Sequence, residues 1–179
     1  MSVVTIFNIQ LVLGYLPWLL GVGPYVWPRL KAMTRADAQR AIAVVHCFRF
    51  FGLVFLIPGI VGPDLPLDFA AFAAYGDFAT GVLAMLALLT TSLRPLFWLF
   101  VAAINVVGTV DILVDYYHGV QLGVPMLAGE FGATYAILML YVPLLLIAHV
   151  VAFYLLVRPL TETVRLRSSG AALGTLRSL

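Results

Sequence analysis

Hydrophobic residues run along this chain in five long blocks separated by short polar interruptions, at about 3–27, 41–61, 67–89, 96–118 and 130–157. Each block reaches about 20 residues, the length an α-helix needs to cross roughly 30 Å of hydrocarbon at about 1.5 Å per residue. None shows the strict two-residue alternation of a half-buried strand. The pattern therefore predicts an all-α fold, a polytopic membrane protein with five transmembrane helices. Turn and cap residues mark the ends. Pro17 and the Gly-Val-Gly-Pro run at 21–24 kink or close the first block. Thr34 with Asp37 three residues later reads as the N-cap of the second. The stretches 62–66, 90–95 and 119–129 supply the glycines, prolines and hydroxyl residues of connecting turns.

The basic residues turn this class into a topology. Of ten Lys and Arg, nine lie in three stretches: Arg29, Lys31, Arg35 and Arg40; Arg94; and Arg158, Arg165, Arg167 and Arg177. The other connections carry none. Positive charge is retained on the cytoplasmic side, so the N-terminus is expected outside and the C-terminus inside. A single five-helix transmembrane domain over 1–160 is then followed by a basic cytoplasmic tail over 161–179. No basic leader or small-residue cleavage site precedes the first block, which is expected to be a retained helix. The expected location is the bacterial inner (plasma) membrane, multi-pass, with the outer loops in the periplasm.

Composition narrows the partners. The chain is 63% hydrophobic and 10% charged, against about a quarter charged in soluble domains. Its lipid bilayer is thus the first partner. A net charge of +2 is too small and too localised for nucleic acid, and suits anionic lipid headgroups. A single cysteine, Cys47, excludes an intramolecular disulfide and a cysteine-based metal cluster.

Polar residues inside the blocks carry the chemistry. A charged side chain at mid-bilayer costs a few kcal/mol, so each needs a partner, a water-filled cavity or a task. Counted from the basic boundary, His46 lies at about 9 Å and His149 at about 11 Å. Arg49 and Asn105 fall near the midplane, Asp77 slightly beyond it and Asp111 farther out. His46 and Arg49 are three apart and share a helix face. Asp111, Asp115 and His118 form a stripe on the fourth helix, and Thr134, Tyr141 and His149 one on the fifth. The candidate site is His46, Arg49, Asp77, Asn105, Asp111 and His149. Taken singly, each has a structural explanation: an ion pair fixing helix register, or an imidazole bonded to a neighbouring carbonyl. Asp115, His118, Asp64, Asp68 and Glu130 read as a solvated rim, and Tyr116 and Tyr117 as interface anchors.

Two functional classes follow. In the first, the interior binds or conducts a proton, cation or small polar ligand, with the carboxylates exchanging protons and the histidines extending the route. Five helices make a thin wall around a pathway, so a homo-oligomer, most simply a dimer, is expected. In the second, the matched depths of His46 and His149 let them ligate a haem iron or a transition metal in a membrane oxidoreductase. A third possibility is an accessory subunit of a larger complex. No HExxH, CxxCH, phosphate loop or nucleophile elbow is present.

Several short pieces carry a resemblance: His46-Cys47-Phe48-Arg49, Phe55-Leu56-Ile57-Pro58-Gly59, Ala74-Tyr75-Gly76-Asp77, the run from Asn105 through Gly108 to Asp111, and His149. Together they resemble an uncharacterised family of small bacterial five-helix integral membrane proteins. The resemblance implies the fold and picks out the same polar residues, and it implies no activity.

Overall fold

The computed structural model describes residues 1–157. The tail expected over 161–179, and the basic residues from Arg158 onward, lie outside the described residues. Five helices are long and apolar enough to cross a membrane: α1 (Val3–Ala32), α2 (Arg35–Leu56), α3 (Leu67–Leu89), α4 (Arg94–Gln121) and α5 (Ile137–Val157). Among the described residues there is no strand.

Local chemistry explains the boundaries. Ser2 caps α1 by accepting the Thr5 amide at 3.2 Å, one of the four amides a helix start leaves without a backbone partner. Near its other end α1 widens into a π turn over Val22–Val26, around Gly23 and Pro24. A proline inside a helix removes one hydrogen bond and crowds the preceding turn, which a wider turn relieves. Thr34 caps α2 as its spacing predicts: its Oγ1 accepts the Asp37 amide at 3.2 Å and donates to the Asp37 carboxylate at 2.7 Å.

The second block differs from expectation. It begins at Arg35, is α-helical only to Cys47, and continues as a 3₁₀ helix over Phe48–Leu56. At three residues per turn, positions three apart eclipse one another. Arg49, Gly52 and Phe55 are accordingly buried in one line, while Phe48 and Phe51 point outward. The fifth block also differs. Residues 130–134 belong to a separate 3₁₀ segment, Val124–Thr134, broken by Gly132 at φ +51°. Glycine alone adopts that left-handed backbone without a Cβ penalty. Glu130 therefore does not open α5. Its carbonyl accepts the Gly62 amide at 2.6 Å and its carboxylate accepts the Asp64 amide at 3.1 Å, tying two loops together.

Helix α3 is central. Its buried face is a stripe of small residues, Ala70, Ala73, Ala74, Gly81, Ala84 and Ala87, interrupted by Asp77 and Thr80. Small residues let backbones approach closely, the main source of packing when the solvent is lipid. Helices α2 and α4 lie against this stripe, α5 packs on α2 and α4, and α1 packs on α5 and on the 124–134 segment. Two apolar layers result. One, at the end carrying Asp64, Asp68 and Glu130 (the acidic end), holds Phe7, Phe55, Phe69, Val124, Phe131 and Met139. The other, toward Arg35, Arg40 and Arg94 (the basic end), comprises two clusters around Ile42 and Leu155 and around Phe97, Val101 and Ile104. A polar layer separates them.

Candidate functional site

The 3₁₀ register of α2 aims Arg49 into the space between α3, α4 and α5, where its side chain is 1% exposed. Each of its nitrogens is engaged. Nε donates to Oδ1 of Asp77 at 2.6 Å. Nη1 donates to the Gly108 carbonyl at 3.2 Å and lies 3.3 Å from Nε2 of His149. Nη2 donates to Oδ2 of Asp111. A guanidinium offers five donors in a fixed plane, so it can bridge three helices where an ammonium could not.

His149 takes its orientation from both sides. The Asn105 amide nitrogen donates to the Val101 carbonyl at 2.8 Å, which turns Oδ1 of Asn105 toward Nδ1 of His149 at 3.4 Å. This chain has one polarity: Nδ1–H donates to Asn105, and the Nε2 lone pair accepts from Arg49, a tautomer assigned from the network. His46 completes the layer differently. Its ring stacks on that of His149 with centroids 4.2 Å apart and planes 27° apart. It is fully buried, yet neither of its nitrogens has a hydrogen-bond partner among the described residues.

Three glycines make room for the charges. A Cβ on Gly52 would meet Asp77, one on Gly76 would fall on Asp111, and one on Gly108 would meet both Arg49 and His149. The structure thus brings His46, Arg49, Asp77, Asn105, Asp111 and His149 into one buried layer.

Other polar residues lie elsewhere. Thr134 bonds back to the Phe131 carbonyl and Tyr141 to the Val45 carbonyl, each at 2.6–2.7 Å. His118 packs edge-on against Phe72. Two residues read from sequence as rim or anchor have different places. Tyr116 bonds through its hydroxyl to that of Tyr15 at 2.6 Å, the polar tie between α1 and α4. Asp115 lines an internal cavity, and its Oδ1 is buried without a partner among the described residues. That cavity, of about 160 Å³, descends from the acidic end between α1, α4, α5 and the 124–134 segment and ends on Arg49 and Asp77. It is the feature that sequence reasoning missed, because its walls are ordinary apolar residues of six different segments.

The haem alternative does not fit this geometry. Two axial imidazoles must point a nitrogen each at one iron from opposite sides. His46 and His149 instead lie face to face, and the Nε2 of His149 is turned to a guanidinium. Among the described residues, no three His, Cys, Asp or Glu side chains gather into a group able to hold a metal ion.

The two histidines should respond oppositely to substitution. His46→Phe removes an unbonded buried polar group while keeping a stacking ring, so stability should stay level or rise. His149→Phe strands one Arg49 donor and the Asn105 oxygen, and should cost about 1–3 kcal/mol. Unfolding of the two purified variants in the same detergent checks this, and equal losses would contradict it.

A family model described as Domain of unknown function (DUF8737) matches residues 6–157, and the chain belongs to that family. The matched stretch contains all six residues of the polar layer. No curated protein and no solved structure matches the chain.

Proposed function

We propose that this chain is a multi-pass membrane protein, inserted with its N-terminus outside and its basic end in the cytoplasm. Its Arg49 layer binds a proton, or a small cation in its place, admitted from the outer side. One observation carries this reading: a single guanidinium faces two buried carboxylates, Asp77 and Asp111. With neutral imidazoles, the layer holds one negative charge too many for a low-dielectric interior, and a bound positive charge cancels it. Oδ1 of Asp111 and the unprotonated ring nitrogen of His46 supply buried acceptors that nothing in the chain occupies among the described residues.

Access supports the same reading. The cavity approaches the layer from the acidic end, which the positive-inside rule places outside. Toward the basic end, the clusters around Ile42, Leu155 and Phe97 seal the route. A site open on one side and closed on the other suits a binding step that precedes either release or passage, the alternation expected of a carrier. The stacked histidines lie on the sealed side of Arg49, where a proton moving inward would next be received.

Infrared difference spectroscopy of the reconstituted full chain tests the proposal. Acidification should produce the carbonyl stretch of a protonated carboxylic acid that is lost in Asp77→Asn/Asp111→Asn. Addition of sodium or potassium should alter the carboxylate stretches if a cation substitutes for the proton. Carboxylate bands indifferent to both treatments, in folded protein, overturn the reading.

A further inference from the structure

The cavity above the Arg49 layer is larger than a proton or a bare cation needs. Its volume of about 160 Å³ is close to that of cavities of about 150 Å³ that accept one benzene ring. Its walls include the rings of Phe7, Phe55, Phe69 and Phe131, and its polar floor and side are Arg49, Asp77 and Asp115. The uncompensated charge left there has one sign. All three Arg49 nitrogens donate to partners within the chain. Asp77 is engaged through Oδ1 alone, and Oδ1 of Asp115 has no partner among the described residues. An anion would meet two carboxylates, and the only cation there, Arg49, is already committed to partners within the chain. A neutral apolar molecule would leave the carboxylates unanswered. A molecule with an apolar ring and a cationic donor answers both surfaces, because aromatic faces attract cations as well as apolar groups.

We infer that this cavity is a binding site for a lipophilic organic cation of single-ring size, an arylalkylammonium, with its ring among the phenylalanines and its ammonium against Asp115 and Asp77. The inference rests on the preceding proposal only in using the same surplus of negative charge. Access runs between α1 and α4. These helices are joined near the cavity by the Tyr15–Tyr116 hydrogen bond, and Asn8 and Val120 stand exposed at the cavity's edge. Asp115 sits beside that edge, one helical turn from Asp111, so it meets the ammonium before the sealed layer does.

Calorimetric titration of the detergent-purified full chain with benzylammonium, and with benzyl alcohol as its neutral counterpart, tests this. Benzylammonium should bind at least about tenfold more tightly than the alcohol, the ratio expected of one charge-assisted hydrogen bond in a partly buried site. Asp115→Asn should bring the two ligands to similar affinity. Ala70→Phe places a ring in the cavity about two turns from Asp77 and should abolish binding of both. Equal affinity of the two ligands for the unaltered protein overturns the inference, and so does binding that survives Ala70→Phe in folded protein. The wild-type comparison decides even if a variant fails to fold. Absent amine binding with the infrared carboxylic band intact would refute this inference alone. Amine binding without that band would refute the proton reading alone.

Discussion

Arg49→Met should be the most damaging single substitution in the protein, with an expected loss of about 3–5 kcal/mol. The side chain is almost fully buried, and its removal strands Asp77, Asp111, the Gly108 carbonyl and the His149 lone pair together. The cost comes from what remains. Two carboxylates left without a counter-charge in a dry interior are far less stable than the same carboxylates in water. The triple change Arg49→Met/Asp77→Asn/Asp111→Asn should therefore recover most of the loss, since buried ion clusters replaced as a whole are often neutral in stability. Single Asp77→Asn or Asp111→Asn variants should fall between, because the guanidinium keeps one carboxylate. Urea or thermal unfolding in one detergent ranks the four variants. If Arg49→Met costs less than about 1 kcal/mol, Arg49 is not the counter-charge that holds the two carboxylates and the surplus-charge argument fails.

How much of this layer was legible in the sequence depends on the physics each part obeys. The six polar residues stand out because insertion into lipid makes each one expensive, and five apolar blocks give the helix count directly. The matched depths of His46 and His149 correctly place them near each other, but depth says nothing of whether rings meet edge or face. That distinction separates a packed pair from a pair of metal ligands. Hydrophobic blocks are also blind to helix type. The three-residue spacing of Arg49, Gly52 and Phe55 is visible in the chain, yet the flanking Phe50 and Phe51 are equally apolar and mask it. Asp115 looks like rim because sequence depth puts it near water. It becomes a cavity wall only because α4 runs on to Gln121 and α1 leans across it, a contact made through Tyr15 and Tyr116. Pairings between distant apolar helices leave no periodic signal, and the cavity is assembled from such pairings.

Glycine gives the second large effect, and here the sign is the test. In a helix, alanine is ordinarily more stable than glycine by up to about 1 kcal/mol, because the glycine backbone loses more freedom on folding. Gly21 obeys that rule: a Cβ there meets nothing within 4 Å, so Gly21→Ala should be neutral or stabilising. Gly52, Gly76 and Gly108 should invert it. A Cβ on Gly108 would stand 2.7 Å from Nη1 of Arg49 and 2.7 Å from Nε2 of His149. Neither atom can withdraw without breaking bonds to a third helix. A Cβ on Gly52 would stand 2.5 Å from Cβ and Oδ2 of Asp77, and one on Gly76 displaces the Asp111 carboxylate from the guanidinium. Each alanine should therefore destabilise by about 1–3 kcal/mol, the usual cost of overfilling a packed interior. In the Arg49→Met/Asp77→Asn/Asp111→Asn background the penalty at Gly52 and Gly76 should shrink, since Asn is freer than a carboxylate clamped to a guanidinium. A double-mutant cycle between Gly76→Ala and the triple change measures that coupling. Strict additivity would mean that Gly76 serves ordinary helix packing, and that the close approach of α3 and α4 does not exist to hold the ion cluster.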